Sequence, residues 1–202
     1  MKICFLDSSI IPYTYNDLNS KNIRGGENAI IHLSNELSKL GNEIVVYNSF
    51  NDICTINGVE WSNISHANKN LTYDIAFTNN DIKLFDNIIA KKYVAFSHSI
   101  QSIEKFIRKG QLFSYLKYKP KIVLLGKYHK ENRNYLLKLF GTINLEWAVD
   151  PLFLEEKLDE NLIENRAIFT SRRDRNLDLL IKLWIKDIFP KNKSIKLYST
   201  PS

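Results

Sequence analysis

Short apolar runs alternate with helix-periodic segments along almost the whole chain, and that alternation leaves few folds open. "KICFLDSSII" is an apolar run suited to a buried strand. After a long polar loop, Ile30, Leu33, Leu37 and Leu40 recur at helical spacing, with Gly41 where a helix ends, and "NEIVVYN" reads as the next strand. Strand, loop, helix, strand is a βαβ unit and implies a parallel sheet. The pattern continues: strands at "YDIAFTN" and "KYVAFSHS" flank a short helix at "DIKLFDNIIA". Next come helical "IQSIEKFIRKGQLFSYLKY", interrupted at Gly110, a strand at "KIVLLG", a helix at "KYHKENRNYLLKLF" and a short strand at "INLEWAV". The expected fold class is therefore α/β, a Rossmann-like parallel sheet with helices on both faces.

After Asp150-Pro151 the composition turns acidic and polar through "LFLEEKLDENLIENR", and then the pattern restarts. "AIFTS" reads as a strand, "RNLDLLIKLWIKDIF" as a helix and "SIKLYST" as a strand. We assign 1–160 to an amino-terminal Rossmann-like domain with its linker. Residues 161–202 are assigned to the first β-α-β of a second Rossmann-like domain. A lone unit of that size buries its own faces poorly. The expectation is that it packs on the first domain or belongs to something longer.

Composition narrows the function classes. No apolar run approaches the ~18 residues of a membrane span, and the start of the chain reads as a strand, not a signal peptide. Cys4 and Cys54 have no metal-ligand or disulfide spacing, so a reducing compartment, the cytoplasm, is expected. The net charge is +6, a balance that suits phosphorylated ligands or anionic surfaces. Nucleic acid is disfavoured, because the cations are dispersed and no recognised module is present.

Gly25 and Gly26 stand side by side at the entrance to the first helix, between Arg24 and Glu27. Glycine N–H groups approach a ligand closely, and a helix N-terminus favours an anion. The alternative is that the pair merely turns the chain. No G-x-G-x-x-G follows the first strand, which argues against a dinucleotide site. The loop Pro12–Arg24 is long for a compact α/β unit, and such loops are usually functional or disordered.

A second basic entrance is "TSRRDRNLDLL", where Arg172, Arg173 and Arg175 fall between a strand and a helix. Cations there oppose the helix dipole, and a bound phosphate would offset this. A solvated basic turn paired with Glu164 or Asp178 is the bland alternative. Asp7 and His98 each lie at a strand's carboxyl end, where open α/β sheets bind ligands; a capping role for Asp7 and a structural role for His98 stand beside that. The basic, aromatic stretch 105–133 suits an anionic membrane surface, or is a helix with a solvated lysine face. No Asp-x-Asp pair or His/Cys cluster implies a metal.

In order and spacing, these pieces resemble the retaining family 4 glycosyltransferases, which adopt the glycosyltransferase B fold. "KICFLDS" and "RGGENAIIHLSNELSKLGNEIVVYN" resemble that family's first strand, Gly-Gly loop, helix and second strand. "YVAFSHS", "KIVLLGKYHKE" and "LEWAVDPLF" resemble later segments of its amino-terminal domain. "IFTSRRDRNLDLLIKLW" is similar to the opening of its donor domain. The resemblance implies transfer of a hexose from a nucleoside-diphosphate sugar to a glycan or lipid-linked acceptor, with retention. It further implies no metal and no separate cofactor. Gly25 and Gly26 would face the interdomain cleft near the donor phosphates. Arg172 and Arg175 would bind the diphosphate, and His98 would act on the sugar. "EWAVD" departs from the family by lacking Asn-Gly, and the family's carboxylate motif would fall beyond Ser202. An apparently truncated enzyme of cell-surface polysaccharide biosynthesis is thus expected, cytoplasmic, with peripheral contact to the inner face of the plasma membrane as an option. The competing reading is a catalytically silent, truncated relative acting as an interaction module through the exposed edge at "SIKLYST".

Overall fold

The computed structural model describes residues 1–18, 20, 22–96, 102–132, 135–146, 165–171 and 175–199. The chain divides into two compact units, Met1–Ala148 and Val149–Ser202.

The first unit is built on an eight-stranded sheet. Its strands are β1 (Lys2–Asp7), β2 (Glu43–Asn48), β3 (Cys54–Ile56), β4 (Val59–Asn63), β5 (Thr72–Asn79), β6 (Ile89–Phe96), β7 (Lys121–Leu124) and β8 (Thr142–Asn144). They lie in the order β3-β4-β2-β1-β5-β6-β7-β8, and every neighbouring pair is parallel except β3 with β4. The helices are α1 (Gly25–Lys39), α2 (Ile103–Arg108), α3 (Leu112–Tyr118) and α4 (Lys127–Glu131). This is a Rossmann-like α/β fold. From β1 the sheet grows one way through β2 and the other way through β5, so its topological switch point lies between β1 and β5.

The period-2 alternation of a strand explains why both faces are covered. Ile3, Phe5, Ile44, Val46, Val59 and Trp61 point to one face, where Ile30 and Ile31 of α1 meet them. Cys4, Leu6, Val45, Tyr47 and Ala76 point to the other. There they pack with Ile82 and Phe85 from the β5–β6 connection, Phe106 of α2 and Tyr115 of α3. Cys4 is a free thiol whose pKa is pushed up by burial, a core residue as expected. α1 ends as the sequence predicts. Gly41 adopts φ +79°, the Gly41 N–H donates to the Ser38 carbonyl, and the Asn42 N–H donates to the Leu37 carbonyl. That is a Schellman closure.

Three local expectations need correction. "DIKLFDNIIA" is a 3-10 turn over Ile82–Asn87, after which Ile89 already belongs to β6. "KYHKENRNYLLKLF" forms only the short α4 and a 3-10 turn at Tyr135–Lys138 among the described residues. The β3–β4 hairpin adds an antiparallel edge to the predicted parallel order. Its signal is "TINGV": Asn57 and Gly58 both take positive φ, 53° and 75°, as a type I′ hairpin turn requires. A Cβ on Gly58 would also lie 2.6 Å from Ser38 Oγ, which donates to the Asn57 carbonyl. Gly58→Ala is therefore expected to cost about 1–2 kcal/mol in urea unfolding, the range for forcing an L side chain into left-handed backbone. A loss below about half a kcal/mol would mean the turn relaxes freely.

The second unit contains β9 (Arg166–Phe169), α5 (Leu177–Leu183), a π-helical turn at Trp184–Ile188 and β10 (Lys196–Ser199), with β9 and β10 parallel. This is the expected β-α-β, and Ile168, Leu179 and Ile185 remain exposed on it. The Arg166 guanidinium lies over the Tyr198 ring, 5.2 Å from its centroid, bracing the two strands. Among the described residues no helix is long and apolar enough to cross a membrane.

Candidate functional site

A buried polar network occupies the carboxyl edge of the first sheet. Three neighbouring strands end in a polar residue, Asp7 on β1, Asn48 on β2 and Asn79 on β5, and all three side chains are buried. Tyr13 Oη donates to Asp7 Oδ2 at 2.8 Å, and Asn79 Nδ2 donates to Asp7 Oδ1 at 3.3 Å. Asn48 Nδ2 donates to the Tyr13 carbonyl at 2.7 Å, while its Oδ1 accepts from the Phe50 N–H at 2.6 Å. Tyr13 is fully enclosed, with its ring edge-on to Trp61 at a centroid distance of 6.0 Å. The beginning of the long loop after β1 is thus pinned onto the strand ends.

The first turn of α1 is tied to the same edge. Ser9 Oγ donates to Glu27 Oε1 at 2.7 Å, and Glu27 is itself buried. This bond joins the segment just after β1 to the helix that Gly25 and Gly26 open. Arg24 holds the N-cap position in extended conformation, and no side chain caps the helix there. The early N–H groups of α1 therefore lack the side-chain acceptor that Ser, Thr, Asp or Asn would supply.

Burial pushes the Asp7 carboxyl above the ordinary aspartate range, and the nearby Glu27 carboxylate adds to that. Hydrogen bonds from Tyr13, Asn79 and the Ser9 backbone oppose the shift without cancelling it. Enclosed as it is, at 3% exposure, Asp7 organises the edge; it does not offer a free carboxylate to a ligand.

The structure brings only part of the anticipated constellation into view. Gly25 and Gly26 are the first two residues of α1, at the carboxyl edge beside the β1–β5 switch point. Arg175 is exposed in the turn between β9 and α5, one residue before Asn176, which starts α5 from a left-handed conformation without a side-chain cap bond. His98, Arg172, Arg173 and Asp174 lie outside the described residues, as does the linker at 151–160. The sequence pattern points to Asp7 but not to the network around it, in which Tyr13, Asn79 and the Ser9 backbone donate to Asp7 and Asn48 holds the Tyr13 carbonyl. Their signal was present: "KICFLD", "EIVVYN" and "TYDIAFTN" each end an apolar strand on Asp or Asn. Among the described residues no group of three or more His, Cys, Asp or Glu side chains converges as a metal site. Neither a protein-family model nor a curated protein matches the chain.

Proposed function

We propose that the protein is a retaining, nucleotide-sugar-dependent hexosyltransferase acting on a glycan or lipid-linked acceptor. In this reading the first unit supplies the acceptor side and the second supplies donor-phosphate contacts. The cytoplasmic setting and the role in cell-surface polysaccharide assembly belong to the same proposal.

The observation that supports it is the manner in which Gly25 and Gly26 are used. Both lie in ordinary helical backbone, so neither is required by a left-handed turn. A Cβ on Gly25 would meet nothing within 4 Å, so packing does not require glycine there either. Glycine in a helix costs up to about 1 kcal/mol relative to alanine. A helix that bears this cost without a conformational or packing reason is accounted for by close approach of a ligand to its N–H groups. The uncapped N-terminus favours an anionic ligand, and the exposed Arg24 adds a positive charge. On the second unit Arg175 supplies a further cation at a helix entrance. Fixed cations and N–H groups of this kind stabilise charge developing on a departing nucleoside diphosphate. His98 and Arg172 carry their roles in sugar orientation and diphosphate binding as part of the same proposal.

Calorimetric titration with UDP-, GDP- and ADP-glucose tests this directly. One of the three is expected to bind. Arg175→Ala should then weaken it by about tenfold or more, the worth of a hydrogen bond to a charged group. Gly25→Ala should weaken it too, while raising stability by up to about 1 kcal/mol. No binding by the parent chain, or unchanged affinity in both variants, would overturn the proposal.

A further inference from the structure

The α2–α3 hairpin carries two apolar surfaces, and only one of them is used. Phe106 of α2 and Tyr115 of α3 are buried against each other, ring centroids 5.1 Å apart, and belong to the sheet-facing core. Ser114 is also buried on this inner side. Gly110, at φ +63°, turns the chain between the helices, and the Gln111 N–H donates back to the Phe106 carbonyl at 2.8 Å. The hairpin is therefore a firmly closed piece whose inner side is satisfied.

An ordinary surface helix would carry polar residues on its outer side. Here Phe113 is 75% exposed, Ile107 60% and Leu116 50%. The two α3 residues are three apart and so share one helix face. Around them the segment 103–121 holds six cations, Lys105, Arg108, Lys109, Lys117, Lys119 and Lys121, against Glu104 as its single acid. Lys117 pairs with Asp86 at 2.7 Å, whereas Arg108, Lys109 and Lys119 are exposed and form no ion pair among the described residues. The cations are close enough to act on one another. The Lys105 ammonium is pushed below its ordinary value by burial and by the charges of Lys109 and Arg108.

A solvated lysine face would account for the cations alone. It does not account for three large apolar side chains among them. Exposed apolar groups ringed by cations fit a surface with anionic headgroups over hydrocarbon. We infer that the α2–α3 hairpin docks peripherally on an anionic lipid bilayer, inserting Phe113, Ile107 and Leu116 while Arg108, Lys109 and Lys119 meet the headgroups. This rests on the hairpin alone and is independent of the proposed transfer chemistry.

The test is co-sedimentation with vesicles of phosphatidylcholine alone and with about 30% phosphatidylglycerol, at low and raised salt. The expected result is binding to the anionic vesicles only, weakened by salt. Arg108→Glu with Lys109→Glu should weaken it about 25-fold or more, from roughly fivefold per cation at a charged surface. Phe113→Ser should weaken it about tenfold, the worth of a buried aromatic ring. All three positions are exposed, and circular dichroism would verify that the variants keep the fold. Equal binding to neutral vesicles, no binding to either, or indifference to the charge reversal would overturn the inference. So would a vesicle-free dimer in sedimentation velocity that Phe113→Ser dissolves, since the patch would then be covered by a second copy.

Discussion

Trp61→Ala is expected to destabilise the first unit by about 3–5 kcal/mol, the usual cost of emptying a large buried aromatic site. Trp61 is fully enclosed on β4, opposite Val46 of β2, in the layer where α1 packs. Its ring also meets the edge of Tyr13, so one deletion opens space beneath both α1 and the loop after β1. Typical domains hold only about 5–15 kcal/mol in total, so the loss is a large part of what there is. Trp61→Phe should be far milder, about 1–2 kcal/mol. The indole Nε1 is buried without an acceptor among the described residues, and phenylalanine removes that uncompensated donor while keeping most of the ring. Urea unfolding followed by far-ultraviolet circular dichroism measures both. A cost for Trp61→Ala under about 1 kcal/mol would mean that α1 does not seal this layer.

Much of this core was legible in the chain itself. β1 and β2 have apolar residues at every interior position, which marks strands covered on both faces, and α1 carries its apolar residues at helical spacing with a glycine at its end. What was not legible has identifiable causes. Five helix-compatible residues at Lys127–Glu131 look like the start of a long helix, but continuation depends on tertiary packing more than on propensity. "DIKLFDNIIA" mixes both periods, and strand pairing of Ile89 and Ala90 with Thr72 and Tyr73 claims its end. The Asn57-Gly58 hairpin is legible from turn chemistry alone, since Asn-Gly supplies both positive φ values.

The site divides in the same way. Gly25 and Gly26 can be located from the sequence because a glycine pair ahead of a helix-periodic run carries a mechanism. That the backbone demands glycine at neither position, and packing does not demand it at Gly25, is a property of the fold and not of the sequence pattern. Asp7 could be placed at a strand end by pattern, but its partners lie 6 and 72 residues away in the chain. No local spacing rule joins Tyr13 to Asp7 and Asn79. The loop makes the connection by folding back, and burial then decides the electrostatics.

That electrostatic arrangement gives the second large effect. Tyr13→Phe removes one hydroxyl and leaves the buried Asp7 carboxylate with Asn79 and the Ser9 backbone as its donors. A hydrogen bond to a charged group is worth about 1.5–3 kcal/mol, so a loss of about 2 kcal/mol is expected once the pH is high enough to ionise Asp7. The loss should shrink in acid. In the parent protein burial already raises the native Asp7 pKa above its unfolded value, roughly 3.9. Between those two values the native state keeps a proton that the unfolded chain has released. Stability from this group is therefore greatest below the unfolded pKa and falls as pH rises through the native one. Removing the Tyr13 donor raises the native pKa further, so the variant loses stability over a wider window and separates progressively from the parent. Unfolding in urea at pH 4, 6 and 8 should show the gap growing from under about 1 kcal/mol to about 2 kcal/mol. In an Asp7→Asn background the same hydroxyl deletion should cost less and show no such trend, because no charge remains to be stabilised. A pH-independent gap in the parent background would mean that Tyr13 is not paired with an ionising carboxylate.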